Sequence, residues 1–178
     1  MKSAFIAFLV CLVVAPLSAQ SVDDWDRVAL NGGEASLETP CPARTVVAQG
    51  EPMARSLICQ TQDVQITLTL LPKSMTILPL EPGTSFDEMV EVLSAQPNTR
   101  YAIEADLEGN PAFRTEGTDG STPIAVMMAD LGEDRLLTLL VVPAQGAAEG
   151  VDLTATFERI ADSIRLGPIE QEEEEEDI

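Results

Sequence analysis

The chain has 178 residues, with 10 Lys and Arg against 30 Asp and Glu, no histidine, and a formal net charge of −20 at pH 7. A surface this acidic repels phosphate backbones and anionic headgroups, which argues against nucleic acid and anionic membranes as partners. Without histidine the usual catalytic triads, histidine general bases and nearly all transition-metal sites are removed, so no cofactor is expected.

The first residues run Lys2, an apolar stretch from Ala4 to Val14, Pro16, then the small residues Ser18 and Ala19. This is the order of a secretory signal peptide. A membrane span needs about 20 apolar residues; here Pro16 and the polar stretch Gln20 to Asp24 interrupt the run, so no stable membrane insertion is expected. Residues 1–19 are read as the signal peptide, cleaved between Ala19 and Gln20. About 160 residues then remain, the size of one ordinary domain, and the destination is the periplasm or the extracellular space. Cys11 leaves with the signal; Phe8, Leu9 and Val10 before it are too bulky for a lipid-attachment site. The two remaining cysteines, Cys41 and Cys59, reach an oxidising compartment and are expected to bond to each other. Closing that loop of about 18 residues contributes roughly 3 kcal/mol on the chain-entropy model. The spacing is unlike C-x-x-C, so thiol chemistry is not expected.

Residues 20–34 read as a polar lead-in, with Trp25 set among Asp23, Asp24 and Asp26 and packed on the domain. A single domain follows over 35–168. A short strand at 35–39 ends at Pro40-Cys41-Pro42, because proline cannot donate to a sheet ladder. Strands at 55–61 and 64–71 meet at Gln62-Asp63, and in the second Val64, Ile66, Leu68 and Leu70 alternate with polar residues. A proline-rich connection from Pro72 to Pro82 leads to Ser85-Phe86-Asp87-Glu88. There the serine caps the first amides and Glu88 reaches back, which starts a helix whose buried stripe is Phe86, Met89, Val90 and Leu93.

Tyr101 to Glu108 alternates, with Tyr101, Ile103, Ala105 and Leu107 inward. Gly109-Asn110 turns it into a strand at 112–117. A further hairpin joins 124–129 to 135–142 through Gly132-Glu133-Asp134, and the nearly continuous apolar run from Leu136 to Val142 predicts a central strand covered on both faces. A second helix, from Leu153 to Arg165, buries Phe157, Ile160, Ala161 and Ile164, and Gly167-Pro168 stops it. Residues 169–178, with Glu172 to Glu176 in a row, read as a disordered acidic tail. The order predicts an α+β domain: a mostly antiparallel sheet of about six strands with two main helices packed on it.

Several short features resemble the PsbP/Mog1-like superfamily: the Ser36-Leu37-Glu38-Thr39-Pro40 strand end, the helix opened at Ser85, Gly109-Asn110-Pro111-Ala112, and the closing run from Phe157 to Ile164. The resemblance spans nearly all of 35–166. It implies an accessory, assembly or binding protein rather than an enzyme, and it carries over no site residue. The Cys41–Cys59 pair and the acidic tail depart from that pattern.

Candidate chemistry is sparse. Lys73, the single lysine after the signal, precedes Ser74 in the wrong order for a serine–lysine pair. Glu104, Asp106 and Glu108 alternate on one strand face, some 6 to 7 Å from one to the next by strand rise; they read first as a solvated sheet face and secondly as ligands for a hard cation, while paired-carboxylate hydrolysis would need two acids opposed in a cleft. Calcium loops gather oxygen ligands around a tight glycine turn; Asp23-Asp24-Trp25-Asp26 lacks the glycine, and Asp130 to Asp134 is short enough to be only a hairpin turn. The sequence therefore predicts an exported, non-enzymatic binding or assembly protein whose partner is another envelope protein. A carboxylate-dependent hydrolase acting on an envelope polymer, or a weak Ca²⁺-binding protein, are the alternatives.

Overall fold

The computed structural model describes residues 25–30, 32–47, 54–75 and 85–167. Two antiparallel sheets and two helices build an α+β domain in three layers. Strands β3 (Arg44–Val47), β4 (Arg55–Gln60), β5 (Val64–Pro72), β6 (Thr99–Leu107), β7 (Asn110–Asp119), β8 (Thr122–Asp130) and β9 (Arg135–Pro143) form the larger sheet, in the order β3-β4-β5-β9-β8-β7-β6. The smaller sheet has β1 (Asp26–Ala29), β2 (Ala35–Thr39) and β10 (Arg165–Leu166), with β2 in the middle. Helix α1 runs Phe86–Ser94 and α2 runs Thr154–Ser163.

The number of strands is a correction to the sequence reading, which gave about six in one sheet. β1 falls inside the stretch read as lead-in, and β3 follows Pro40-Cys41-Pro42 too closely to be separated from that turn. β10 has two residues, too few for any periodicity. Two longer strands agree with the reading: β5 alternates buried and half-buried residues from Val64 to Leu70, and β9 is the central strand of the larger sheet.

β6 to β9 are consecutive antiparallel neighbours, so local hairpins build over half of the larger sheet. The β6–β7 turn is Glu108-Gly109, one residue earlier than expected, with φ of +52° and +84°. Positive φ at both central residues matches the right-handed twist of the flanking strands. β7 and β8 are also joined by a tight turn, at Gly120-Ser121.

The main core lies on one face of the larger sheet. Leu57, Ile66, Leu68, Met127, Leu139 and Val141 pack there against Leu37 of the small sheet and against Phe157, Ile160 and Ile164 of α2. Each such side chain contributes about 1.5–3 kcal/mol when fully buried. Ser163 ties α2 to the small sheet: its hydroxyl accepts from the Glu38 amide at 2.9 Å and its carbonyl accepts from Arg27 at 3.0 Å. Trp25 packs on the same core, with the Arg159 guanidinium 4.0 Å from its ring centroid.

α1 covers part of the opposite face, where Met89 meets Phe113, Met128 and Leu136, and Phe86 packs edge-on to Phe113 at 5.4 Å. The capping box is present: the Glu88 amide donates to the Ser85 hydroxyl at 3.3 Å and the Ser85 amide to the Glu88 carboxylate at 3.0 Å. Asp87, Glu88 and Glu91 are exposed, as the stripe predicts.

Cys41 and Cys59 are bonded across a Cα–Cα distance of 5.8 Å. The link joins the loop before β3 to a β4 position buried in the main core. Among the described residues no helix is long and apolar enough to cross a membrane.

Candidate functional site

Charge is concentrated where α2 crosses the β6–β7 end of the sheet. On the α2 face of β7 the buried run turns polar: Ala112 is followed at two-residue spacing by Arg114 and Glu116. The facing stripe of α2 is Thr154, Glu158 and Asp162, at i, i+4 and i+8, which places all three on one side of the helix beside the apolar stripe. Arg114 donates to Glu158 at 2.7 Å and to Asp162 at 2.8 Å. The Tyr101 hydroxyl donates to the other Glu158 oxygen at 2.8 Å.

A second group joins the first at the start of β6. Register shifts between Thr99 and Tyr101, leaving Arg100 as the extra residue of a bulge. Bulges re-aim a side chain, and Arg100 is aimed at Glu116, 2.7 Å away, and at the Thr154 hydroxyl, 2.8 Å away. The Thr154 hydroxyl also contacts both Glu116 oxygens, at 3.1 and 2.9 Å. Glu116 is thus a carboxylate only 7% exposed with a cation and a hydroxyl as partners. α2 starts on the Asp152 carboxylate, which accepts from the Thr154 amide at 3.0 Å and is held by that residue below the usual carboxylate range.

Gly117 makes the bulge possible. A Cβ there would collide with the Asn98 carbonyl and lie 3.1 Å from the Thr99 Cα, both backbone atoms that cannot move aside. The two strands are fastened at this point by Thr118 N–H to Asn98 O at 2.9 Å and by the Asn98 side chain to the Thr118 carbonyl. Gly117→Ala is therefore expected to push β6 off β7 locally, at a cost of about 1–3 kcal/mol from overpacking, and to detach Arg100 from Glu116. Urea denaturation checks this; an unchanged midpoint would show that the close approach is unimportant.

Tyr101 reports on the seam. Burial, then the hydrogen bond to Glu158 and that carboxylate's charge, push its phenol well above the ordinary value. The folded chain then keeps the proton after the unfolded chain, whose tyrosine has a pKa of about 10, has lost it. The stabilisation is complete below that pH and is lost as pH rises further. Tyr101 is the sole tyrosine and Trp25 the sole tryptophan. An alkaline titration is expected to show phenolate absorbance only together with the change in Trp25 fluorescence that marks unfolding. Phenolate appearing near pH 10 with native Trp25 emission would contradict the burial of this hydroxyl.

Two adjoining cavities open at this end. One, of about 340 Å³, is lined by Arg100, Glu116, Asn98 and Pro123; the other, of about 310 Å³, has an apolar floor of Phe113, Ile124 and Val126 beneath Leu93 of α1. Asn98, Thr99, Gly117 and Thr118 line both.

The acidic residues singled out in the sequence do not assemble. Glu108 lies in the β6–β7 turn rather than on the face of Glu104 and Asp106, where it accepts from the Leu166 amide at 3.0 Å. Asp106 accepts from the Gly109 amide at 2.8 Å and so belongs to that turn. Asp130 receives Lys73 at 2.8 Å and the Gly132 amide at 2.9 Å. Burial raises its pKa, but those two partners outweigh it and hold the carboxyl below its usual range. Among the described residues no three His, Cys, Asp or Glu are placed to hold a metal ion. Asp23, Asp24, the Ala19–Gln20 junction and Glu172 to Glu176 lie outside the described residues. Cys41–Cys59 sits away from the seam, since β5, β9 and β8 separate β4 from β7.

Sequence reasoning passed over Arg100, Arg114, Glu116, Glu158 and Asp162. One signal was available: the polar stripe of α2 at i, i+4 and i+8, Thr154, Glu158 and Asp162. Compared with known proteins, the chain matches no family model and no curated sequence.

Proposed function

We propose that the protein is an exported, non-enzymatic accessory protein of the cell envelope, of PsbP/Mog1-like fold, which binds another envelope protein. The observation that carries this reading is the closure of the charged seam. Arg114 pairs through its two terminal nitrogens with Glu158 and Asp162, Tyr101 pairs with Glu158, and Arg100 and Thr154 pair with Glu116; among the described residues the Arg114 Nε alone of this group is left without a partner. A catalytic pair of carboxylates needs a gap between them for water or sugar; these carboxylates instead hold α2 on the sheet. The Cys41–Cys59 bond supports an oxidising, exported setting. Crosslinking the tagged protein in cells, with identification of what it holds, is expected to give a defined envelope protein.

The hydrolase alternative retains one favourable observation: Glu116 is a nearly buried carboxylate that borders a cavity. It is tested by incubating the purified protein with envelope polymers. Turnover abolished by Glu116→Gln, with the fold intact, would replace the binding reading.

A further inference from the structure

We infer that the free edge of β6 is a docking strand for an extended segment of a partner protein in which cationic and apolar residues alternate. This rests on the binding reading and assigns it a surface.

β6 ends the larger sheet and is nine residues long. Its hairpin to β7 fixes which way each backbone group points. With Glu108-Gly109 as a two-residue turn of positive φ, Leu107 and Asn110 form the closing hydrogen-bonded pair. Antiparallel pairs alternate between bonded and non-bonded, so Leu107, Ala105, Ile103 and Tyr101 direct their amides and carbonyls at β7. The Thr115 hydroxyl, on β7, donates to the Tyr101 carbonyl at 2.9 Å, in agreement with that phase. Ala102, Glu104 and Asp106 therefore turn their backbone groups outward. Among the described residues no backbone bond from another element reaches them. They offer a row of donors and acceptors for strand addition.

The side chains specify what is added. On the α2 side, Ile103 is 49% exposed at the middle of the strand, although alternation alone predicts it inward. An apolar residue on an added strand would cover it. On the other side Glu104 and Asp106 are exposed, and among the described residues neither is in an ion pair. Edge carboxylates discourage unwanted pairing, and here they also discriminate between partners. A second copy paired antiparallel about Ile103 would set Glu104 and Asp106 of both copies on one face. Arg100 offers no relief there, because its bulge places it on the opposite face with Glu116. Lysine or arginine on an incoming strand meets those carboxylates favourably.

The test uses the purified protein and two synthetic peptides of about nine residues, the length of β6, one alternating Lys with Val and the other Glu with Val. The Lys–Val peptide is expected to bind, more weakly as salt rises, and the Glu–Val peptide not to bind. Glu104→Pro removes one outward donor and none of the bonds to β7, so it is expected to weaken binding about tenfold or more, roughly 1.4 kcal/mol, with the thermal midpoint nearly unchanged. Should the proline variant not fold, Glu104→Lys with Asp106→Lys keeps the backbone and is expected to reverse the preference towards Glu–Val. Lack of binding by Lys–Val, binding indifferent to both variants, or a dimer of the free protein that Ile103→Asp dissociates would each overturn the inference. A crosslinked envelope partner still held by Glu104→Pro would remove the β6 edge while leaving the binding reading; turnover dependent on Glu116 would remove the binding reading itself.

Discussion

Phe157→Ala is expected to destabilise the protein by about 3–5 kcal/mol, the range for emptying a buried aromatic site. Phe157 has no exposed surface and sits where α2, the small sheet and the larger sheet meet. No single neighbour can move in to fill the space. Ile66, Leu68 and Leu139 are held by strand pairing on one side, and Leu37 is held by its pairing with Val28 of β1 on the other. A domain has only about 5–15 kcal/mol in total, so the variant should unfold at much lower urea. Trp25 packs on this same core and reports the transition by fluorescence. Val92→Ala, at a 58% exposed position on α1, is the control and should change little. A loss below about 0.5 kcal/mol at Phe157, the level of an ordinary surface change, would mean that α2 does not pack as described.

Removing the disulfide is the second large effect. The double variant Cys41→Ala with Cys59→Ala is expected to lose about 2–5 kcal/mol, the range for removing a native disulfide from a small domain. The bond closes a loop with a sequence separation of 18 and anchors the start of β3, a four-residue strand at the sheet edge. Cys59 is 1% exposed, so its replacement by alanine also leaves space in the main core. Chemical denaturation with and without a strong reductant separates the two contributions. Reduction of the wild type should reproduce the part that comes from freeing the loop, and the variant should be indifferent to reductant. Equal midpoints for wild type and variant would show that the link adds nothing to the fold.

Much of the fold was legible in local pattern. The Ser85 capping box, the stripe of α1, the alternation of β5, the apolar run of β9 and the apolar stripe of α2 each follow from hydrogen bonding and burial within a few neighbouring residues; the end of α2 does not, since the helix stops at Ser163 and Arg165, expected at its last turn, pairs with β2 instead. β3 and β10 were not legible, because strands this short exist only by virtue of the neighbour they pair with. The exposure of Ile103 was hidden for a related reason: alternation assigns a face to a residue, but only tertiary packing determines how much of that face is covered.

For the candidate site, residue types and spacing settled what is absent from the sequence, above all histidine, and offered Glu104, Asp106 and Glu108 as a cluster that the Glu108-Gly109 turn disperses. Arg100 and Glu116 are sixteen residues apart, and Arg114 and Glu158 forty-four. No periodicity links such residues; a bulge at one end of β6, a glycine opposite it and the crossing of α2 bring them together. Composition, caps and hydrophobic period belong to the sequence by itself, since they act over one or two turns of chain. Which charges neutralise one another, and which edge of the sheet is left open, were decided only by tertiary structure, because both depend on elements distant in sequence meeting at one end of the sheet.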